Sequence, residues 1–172
     1  MIDRFENLPT ANLLRQLCCP VPLEEAQLGL MGQRNVPVVV IDTNVLLDIF
    51  FWRDPKSAFL SELLHRQRII AVHAPDTIFE LADVLSRDHF HLNVDEQYAI
   101  IRAWSGYSTC INITKTSTVR CKDSDDQKFL DLCTTCGADV LITKDKLLRK
   151  AAKRLKTCRV IEPENIQDIV LC

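Results

Sequence analysis

Two aspartates in this sequence come at the ends of apolar runs that predict buried strands. Asp42 directly follows VPVVVI, and Asp145 follows ADVLIT with one lysine between them. Runs this short and continuous favour a buried strand over an amphipathic helix. Two more acids, Glu80 and Asp126, lie near the starts of helical segments that follow the second and third predicted strands. Ligands of an open parallel sheet bind beyond the carboxyl ends of its strands, so we expect these carboxylates to meet at one edge.

Carboxylates that share one edge repel each other and raise one another's pKa values. A hard divalent cation with oxygen ligands would neutralise them, so the acids predict bound Mg²⁺ or Mn²⁺. Sites built only from acids suit phosphodiester hydrolysis, in which the cation activates water and stabilises the transition state. The sequence therefore predicts catalytic and metal-binding roles for Asp42, Glu80, Asp126 and Asp145.

Neutral polar side chains stand beside these acids, and we expect them to support the site by hydrogen bonds. They are Thr43, Asn44 and Thr143. None of the 4 histidines belongs to the pattern, which disfavours zinc. Each acid other than Asp42, taken alone, also fits a turn or a helix cap. The metal prediction therefore rests on the acids taken together.

From Val36 onward, short β-branched runs alternate with segments of helical spacing. This order predicts an α/β fold with three layers, α/β/α, around a mainly parallel sheet of four to five strands. The predicted strands span residues 36–41, 69–73, 110–114, 138–143 and 158–163. The predicted helices span residues 54–68, 74–88, 93–106 (stopping at Gly106), 123–137 (ending at the capping Gly137), 144–156 and 164–172. We expect residues 36–172 to form this domain and residues 1–35 to form an N-terminal extension, either helical or a partly mobile arm.

Composition limits the class of protein. The chain has 172 residues with 47% hydrophobic and 26% charged residues, which fits one soluble domain. No apolar run reaches the roughly 20 residues that a membrane span needs, and the N-terminus lacks a secretory pattern. We therefore expect a cytoplasmic, reducing environment. In it the 8 cysteines, including the Cys133-x-x-Cys136 pair at a helix end, pack as small hydrophobic residues.

A basic helix is predicted after Asp145. The formal net charge of −2 argues against a surface coated for bulk nucleic-acid binding, but it leaves room for a local basic patch. Basic side chains on one face of this helix could contact a phosphate backbone or could simply be solvated. The candidates for phosphate contact are Lys146, Lys150 and Lys153 on the helix, with Arg53 and Lys56 after the first strand.

With these residues in place, residues 36–162 resemble a PIN domain, the nuclease fold of many bacterial toxin–antitoxin ribonucleases. The resemblance rests on VVVIDTNVLL, IFELADVLSR and KDSDDQKFLDLCTTCGADVLITKD, and on the two leucines after Lys146. The similarity is greatest to the subgroup of toxin components. Relatives often read T-G-D-x-D-L-L where this chain reads TKDKLL, so Lys144 replaces a glycine and one acid is missing.

The resemblance implies a metal-dependent endoribonuclease. It implies metal binding by the same four acids, with Asn44 as a supporting residue and Asp123 as a supporting residue or additional ligand. It also implies an RNA substrate, a homodimer and a cognate antitoxin protein. Two alternatives stay open: a housekeeping RNA-processing nuclease, and a degenerate PIN module that binds RNA or a partner without cleaving. A haloacid-dehalogenase-like phosphatase is disfavoured, because Asn44 stands where that mechanism needs a second acid.

Overall fold

The computed structural model describes residues 10–22 and 36–170, without the side chain of Val170. In these residues a parallel sheet of five strands has the order β3-β2-β1-β4-β5 and is flanked by helices. The predicted α/β architecture with a parallel central sheet is therefore confirmed. The strands are β1 (Val38–Ile41), β2 (Ile70–His73), β3 (Ser108–Cys110), β4 (Val140–Ile142) and β5 (Arg159–Ile161).

The α-helices of the described residues are α1 (Ala11–Leu17), α2 (Thr43–Leu47), α3 (Ala58–His65), α4 (Pro75–Leu85), α5 (Val94–Tyr107), α6 (Gln127–Cys136), α7 (Lys146–Ala152) and α8 (Gln167–Val170). A π-helical turn, Asp48–Trp52, continues α2. Short 3₁₀ turns span Pro55–Ser57, Asp88–Phe90 and Pro163–Asn165. Within the described chain, no helix has both the length and the apolar character needed to cross a membrane.

The central position of β1 in the sheet explains why its sequence is continuously apolar. Val39 and Ile41 face a core that includes residues of α1 to α5, whereas Val38 and Val40 face a second core with residues of α6 and α7. A central parallel strand is covered on both faces, so each of its residues must be apolar. The two cores and the sheet between them are the three predicted layers.

The N-terminal helix α1 packs on the first of these cores. Leu13 and Leu14 are buried there, and the following Val21 forms an isolated bridge with Ile111 beside β3. This helix lies in the segment predicted as an N-terminal extension. Residues 1–9 and 23–35 of that segment are outside the described residues.

Several predicted boundaries are wrong. The third strand was expected at 110–114 but spans Ser108–Cys110, because α5 passes through Gly106 and leads directly into it. The next residues form a loop held by a side chain of α6: the backbone N–H groups of Thr114 and Lys115 lie 3.3 and 3.0 Å from Thr135 Oγ1. The helices expected at 123–137 and 144–156 are shorter, Gln127–Cys136 and Lys146–Ala152.

Candidate active site

Asp42 lies at the carboxyl end of β1, the central strand of the sheet. From β1 the chain first adds β2 and β3 on one side and then β4 and β5 on the other. Its backbone N–H donates to Ile142 O at the end of β4, at 3.0 Å. The side chain is buried, and its Oδ2 accepts a hydrogen bond of 2.6 Å from Thr143 Oγ1. Asp42 therefore occupies the topological switch point, where ligands of such sheets bind.

Asp145 is held beside Asp42 by the same threonine. Its backbone N–H donates to Thr143 Oγ1 at 3.0 Å, so this buried hydroxyl accepts from Asp145 and donates to Asp42. The Asp145 side chain caps α7, with Oδ1 accepting from Leu148 N at 2.7 Å. One hydroxyl thus fixes the relative position of two acids that are far apart in sequence.

The other two acids come from helices in the two different layers. Glu80 lies in α4 and Asp126 at the N-terminal end of α6, and both are partly buried. Lys128 Nζ lies 2.5 Å from Glu80 Oε2, so the side chains of α4 and α6 meet over the sheet edge. We call Asp42, Glu80, Asp126 and Asp145 the acid cluster.

Electrostatic coupling shows that the members of the acid cluster are neighbours. Burial raises the pKa of Asp42 to about 6; Glu80 and Asp145 add to this, while the hydrogen bonds from Thr143 and Asn44 oppose it. Burial also raises the pKa of Asp126 to about 7, with further contributions, in decreasing order, from Asp42, Asp145, Asp123 and Glu80. The predicted convergence of the acids at one sheet edge is what the structure has.

The predicted supporting residues differ in what they contact. Thr143 makes the bonds described above. Thr43 is buried, and its hydroxyl has no hydrogen-bond partner among the described residues, whereas the Asn44 side chain is exposed. Asp123 is exposed in the loop before α6, where its Oδ1 accepts from Asp125 N at 3.0 Å. The structure thus brings Asp123 close enough to raise the pKa of Asp126.

The donor set of the acid cluster fits a hard divalent cation in its chemistry. All four groups are carboxylates, and their mutual repulsion is the interaction that a cation relieves. In the described part of the chain, no three His, Cys, Asp or Glu side chains are already arranged to hold a metal ion. Binding would therefore require the carboxylates to rotate toward a common point.

Three residues near the site were not predicted to belong to it: Asp48, Lys128 and Lys144. Of these, the sequence singled out only Lys144, as a departure from the family pattern. Asp48, 5% exposed, pairs with Lys144, whose Nζ is 2.5 Å from its Oδ2. The signal for Asp48 was available, since it interrupts the run LLDIFF and a buried charge needs a partner. Lys128 carried no such signal, because a lysine in DDQKFL also fits a solvated helix face.

The candidate phosphate contacts are all exposed side chains: Arg53, Lys56, Lys146, Lys150 and Lys153. Lys146 follows Asp145 directly in α7, so it lies next to the acid cluster. Lys56 is close to Glu164, with 4.0 Å between Nζ and Oε1. Arg53 ends the π-helical turn in a left-handed conformation, φ 52°.

The Cys133–Cys136 pair lies at the end of α6, where the sequence predicted it, just before Gly137 with φ 65°. Both cysteines are buried. A hydrogen bond with Cys158 and burial raise the pKa of Cys133 well above its ordinary value, and burial raises that of Cys136 to about 12. These thiols are therefore protonated at neutral pH. We call Cys133, Cys136 and Cys158 the thiol cluster.

A parallel α/β sheet with an acid cluster at its switch point is a nuclease-type arrangement, and the family comparison agrees. A family model described as a PIN domain matches residues 38–147, which is more than half of the chain. The chain belongs to the PIN domain family. PIN domains are generally nucleases, and PIN nucleases generally use divalent metal ions. A comparison with curated proteins gives no match.

Proposed function

We propose that this protein is a Mg²⁺- or Mn²⁺-dependent endoribonuclease that hydrolyses RNA phosphodiester bonds at the acid cluster. The observation that supports this most is the electrostatic coupling of Asp42, Glu80, Asp126 and Asp145 at the switch point of the sheet. Membership of a family of nucleases supplies the reaction class. RNA as the substrate rests on the resemblance to the toxin ribonucleases.

The residues of the cluster have distinct tasks in this proposal. The hydrogen bond from Thr143 Oγ1 holds the buried Asp42 carboxylate in one orientation. Asp145 is held by its cap of α7 and by Thr143. Asp126, with a pKa of about 7, is half protonated at neutral pH in the metal-free protein and must release its proton to act as a ligand.

Asp42, Asp126, Asp145 and Glu80 would hold the cation. When bound, it would supply positive charge against the charge that develops on the phosphoryl oxygens and would activate the attacking water. Carboxylate ligands also suit Mg²⁺ and Mn²⁺ better than the softer transition metals. The surrounding protein then has to place the RNA backbone near these acids.

The basic face of α7 is the proposed path for the phosphate backbone. Lys146 and Lys150 are exposed on α7, which begins beside Asp145, and the exposed Lys153 directly follows its last residue. By contrast, Arg149 is paired with Glu162 on β5's C-terminal side. Phosphate contacts by lysine do not depend on base identity, so we expect weak sequence preference and strong dependence on salt.

The direct test is cleavage of a single-stranded RNA by the purified chain. We expect cleavage with Mg²⁺ or Mn²⁺, none with a chelator, and recovery when the cation is restored. A folded protein that binds the RNA but leaves it intact at every cation concentration would contradict the proposal.

The alternative is a PIN module that binds RNA or a partner protein without cleaving it. Two observations favour it: Lys128 contacts Glu80, and Lys144 replaces the family's glycine and contacts Asp48. Lys128 places positive charge against one acid of the cluster, and Lys144 places it next to Asp145 in the chain. The cleavage experiment separates the two functions, since only the nuclease consumes the RNA.

The toxin role is the most specific part of the proposal and rests on the resemblance alone. Induction of the intact gene should arrest growth of a bacterial host by cleavage of cytoplasmic RNA, and a cognate antitoxin protein should relieve it. Harmless expression of cleavage-competent protein would indicate housekeeping RNA processing instead. We also propose a homodimer; sedimentation that shows only monomer at micromolar concentration would contradict this.

A further inference from the structure

Lys128 is placed where helix electrostatics alone would disfavour it. It lies in the first turn of α6, two residues after Asp126, and the N-terminus of a helix favours negative side chains. Its side chain is only 19% exposed, and its Nζ is 2.5 Å from both Glu80 Oε2 and Asp125 O. A buried cation at a helix N-terminus needs a compensating anion, and Glu80 is that anion.

The Lys128–Glu80 pair differs from the surface ion pairs of the molecule. Arg66–Glu62 and Arg87–Asp83 each join residues four positions apart at the C-terminal end of a helix, with arginine side chains that are more than half exposed. Such pairs contribute little to stability. Lys128–Glu80 instead joins α4 to α6 across the sheet edge, with both side chains mostly buried. Because Glu80 also belongs to the acid cluster, this partly buried ion pair links Lys128 to the site.

Glu80 is the member of the acid cluster that pairs with the ammonium group of Lys128. Glu80 Oε2 is buried and has no hydrogen bond of good geometry, so its described neighbour is the Lys128 charge. Among the acids that repel Asp126, Glu80 contributes least, after Asp42, Asp145 and Asp123. Among the acids that raise the pKa of Asp42, however, Glu80 contributes most. The carboxylate that Lys128 contacts is therefore also close to Asp42.

We propose that Lys128 is a built-in counter-ion of Glu80 that competes with a divalent cation for this carboxylate and so weakens cation binding by the acid cluster. Lys128 is a positioning residue, because it acts through Glu80. A cation must displace the ammonium group from Glu80 before this acid can join the other three. The inference rests on the proposed function only in that the acid cluster binds a divalent cation.

The experiment is a calorimetric titration of the full chain with Mn²⁺. The intact protein is compared with Lys128→Met, with Lys128→Arg, which keeps the charge, and with Lys156→Met, which removes an exposed lysine beyond α7. Lys128→Met should bind Mn²⁺ roughly tenfold more tightly, within the range of coupling between charged neighbours. The other two variants should bind as the intact protein does. Lys128→Gln replaces Lys128→Met if the latter does not fold.

A double-mutant comparison tests whether Lys128 acts through Glu80. In a Glu80→Gln background the carboxylate is already absent, so Lys128→Met should cause no further change in Mn²⁺ affinity. If Lys128 contributed only the packing of its aliphatic chain, Lys128→Met would lower the melting temperature without changing the affinity for Mn²⁺. That result would overturn the proposal. The proposal would also be overturned if Lys128→Met changed affinity equally with and without Glu80.

Cleavage of RNA by the intact protein is measured in parallel, so that the two proposals fail separately. If RNA is cleaved but Lys128→Met binds Mn²⁺ no more tightly than Lys156→Met, only the counter-ion proposal is wrong. If Lys128→Met gains affinity and no variant cleaves RNA, the counter-ion proposal stands and the nuclease proposal is wrong. If neither the intact protein nor Lys128→Met binds Mn²⁺, both are wrong.

Discussion

The acid cluster and the thiol cluster each contain groups whose pKa values are raised, but for different reasons. In the thiol cluster, burial raises the pKa of Cys136, and a hydrogen bond with Cys158 together with burial raises that of Cys133, so these two thiols stay neutral. In the acid cluster burial acts together with repulsion between carboxylates, and the pKa values of Asp42 and Asp126 are about 6 and about 7. At neutral pH the thiols are uncharged, whereas the acids are forced to share negative charge.

This difference separates a packing role from a functional one. Neutral thiols behave as small hydrophobic groups, so their burial stabilises the fold. Crowded carboxylates destabilise it, and proteins tolerate such destabilisation mainly where activity requires it. A cation would relieve the acid cluster and would do nothing for the thiol cluster.

The largest expected effect is the loss of activity in Asp126→Asn. A neutral amide is a poor replacement for an anionic ligand, so metal-dependent RNA cleavage should fall by more than about 100-fold, the upper range for residues that only support a metal ligand. The control is Asp95→Asn, which neutralises an exposed acid in the first turn of α5 and should leave cleavage unchanged. Equal activity in the two variants would contradict the assignment of Asp126.

Added Mg²⁺ should stabilise the intact protein strongly at pH 7.5 and weakly at pH 5. Ligands must be ionised to bind the cation, and Asp42 and Asp126 are mostly protonated at pH 5 because their pKa values are about 6 and about 7. At ~100 times its dissociation constant, Mg²⁺ should add roughly 2.7 kcal/mol at the higher pH. Thermal melts with Mg²⁺ and with a chelator measure this; the same gain at both pH values would contradict a carboxylate site.

Asp42→Asn should raise the melting temperature in a chelator at pH 7.5. The pKa of Asp42 is raised from 3.8 to about 6 in the folded protein, so its stabilising contribution is present below about pH 4 and lost as the pH rises through 6. Removing the charge should restore roughly 3 kcal/mol at pH 7.5, and the amide oxygen can still accept from Thr143.

The comparison is made again near pH 4, where Asp42→Asn and the intact protein should melt alike. The variant should also gain less from added Mg²⁺ at pH 7.5. If Asp42 were only a turn residue, its replacement would lower the melting temperature at both pH values.

Cys133→Ala should give the smallest effect of these changes. Unlike the substitutions in the acid cluster, it should lower stability without changing RNA cleavage. Loss of a buried sulfur and of its hydrogen bond with Cys158 should reduce stability by about 1 kcal/mol, a typical value for a single substitution. This loss should be equal at pH 5 and pH 7.5, because the thiol is neutral at both. RNA cleavage by Cys133→Ala should match that of the intact protein; reduced cleavage with unchanged stability would show that the thiol cluster is not merely structural.

Much of the acid cluster could be predicted because the signal is local. Asp42 and Asp145 end strongly apolar runs, and the parallel-sheet rule then places both at one edge without any knowledge of the strand order. The resemblance to the PIN domain family is confirmed. The supporting role that it implied for Asp123 and the toxin subgroup stay predictions. The third strand was misplaced because CINIT is β-branched, whereas the strand pairs through the less apolar Ser108–Cys110.

The sequence by itself determined the alternation of strands and helices and the carboxyl-end position of the acids, since both follow from residue type and short spacing. Only the tertiary structure decided that Lys128 contacts Glu80, that Lys144 contacts Asp48 and that the free thiol of Cys158 lies beside that of Cys133. Each of these contacts brings together residues that are far apart in the chain, and the Lys128–Glu80 contact depends on how helices of different layers meet over the sheet. A charge pair between distant residues leaves no periodic trace in the chain, because the attraction acts through space and depends on burial rather than on sequence separation.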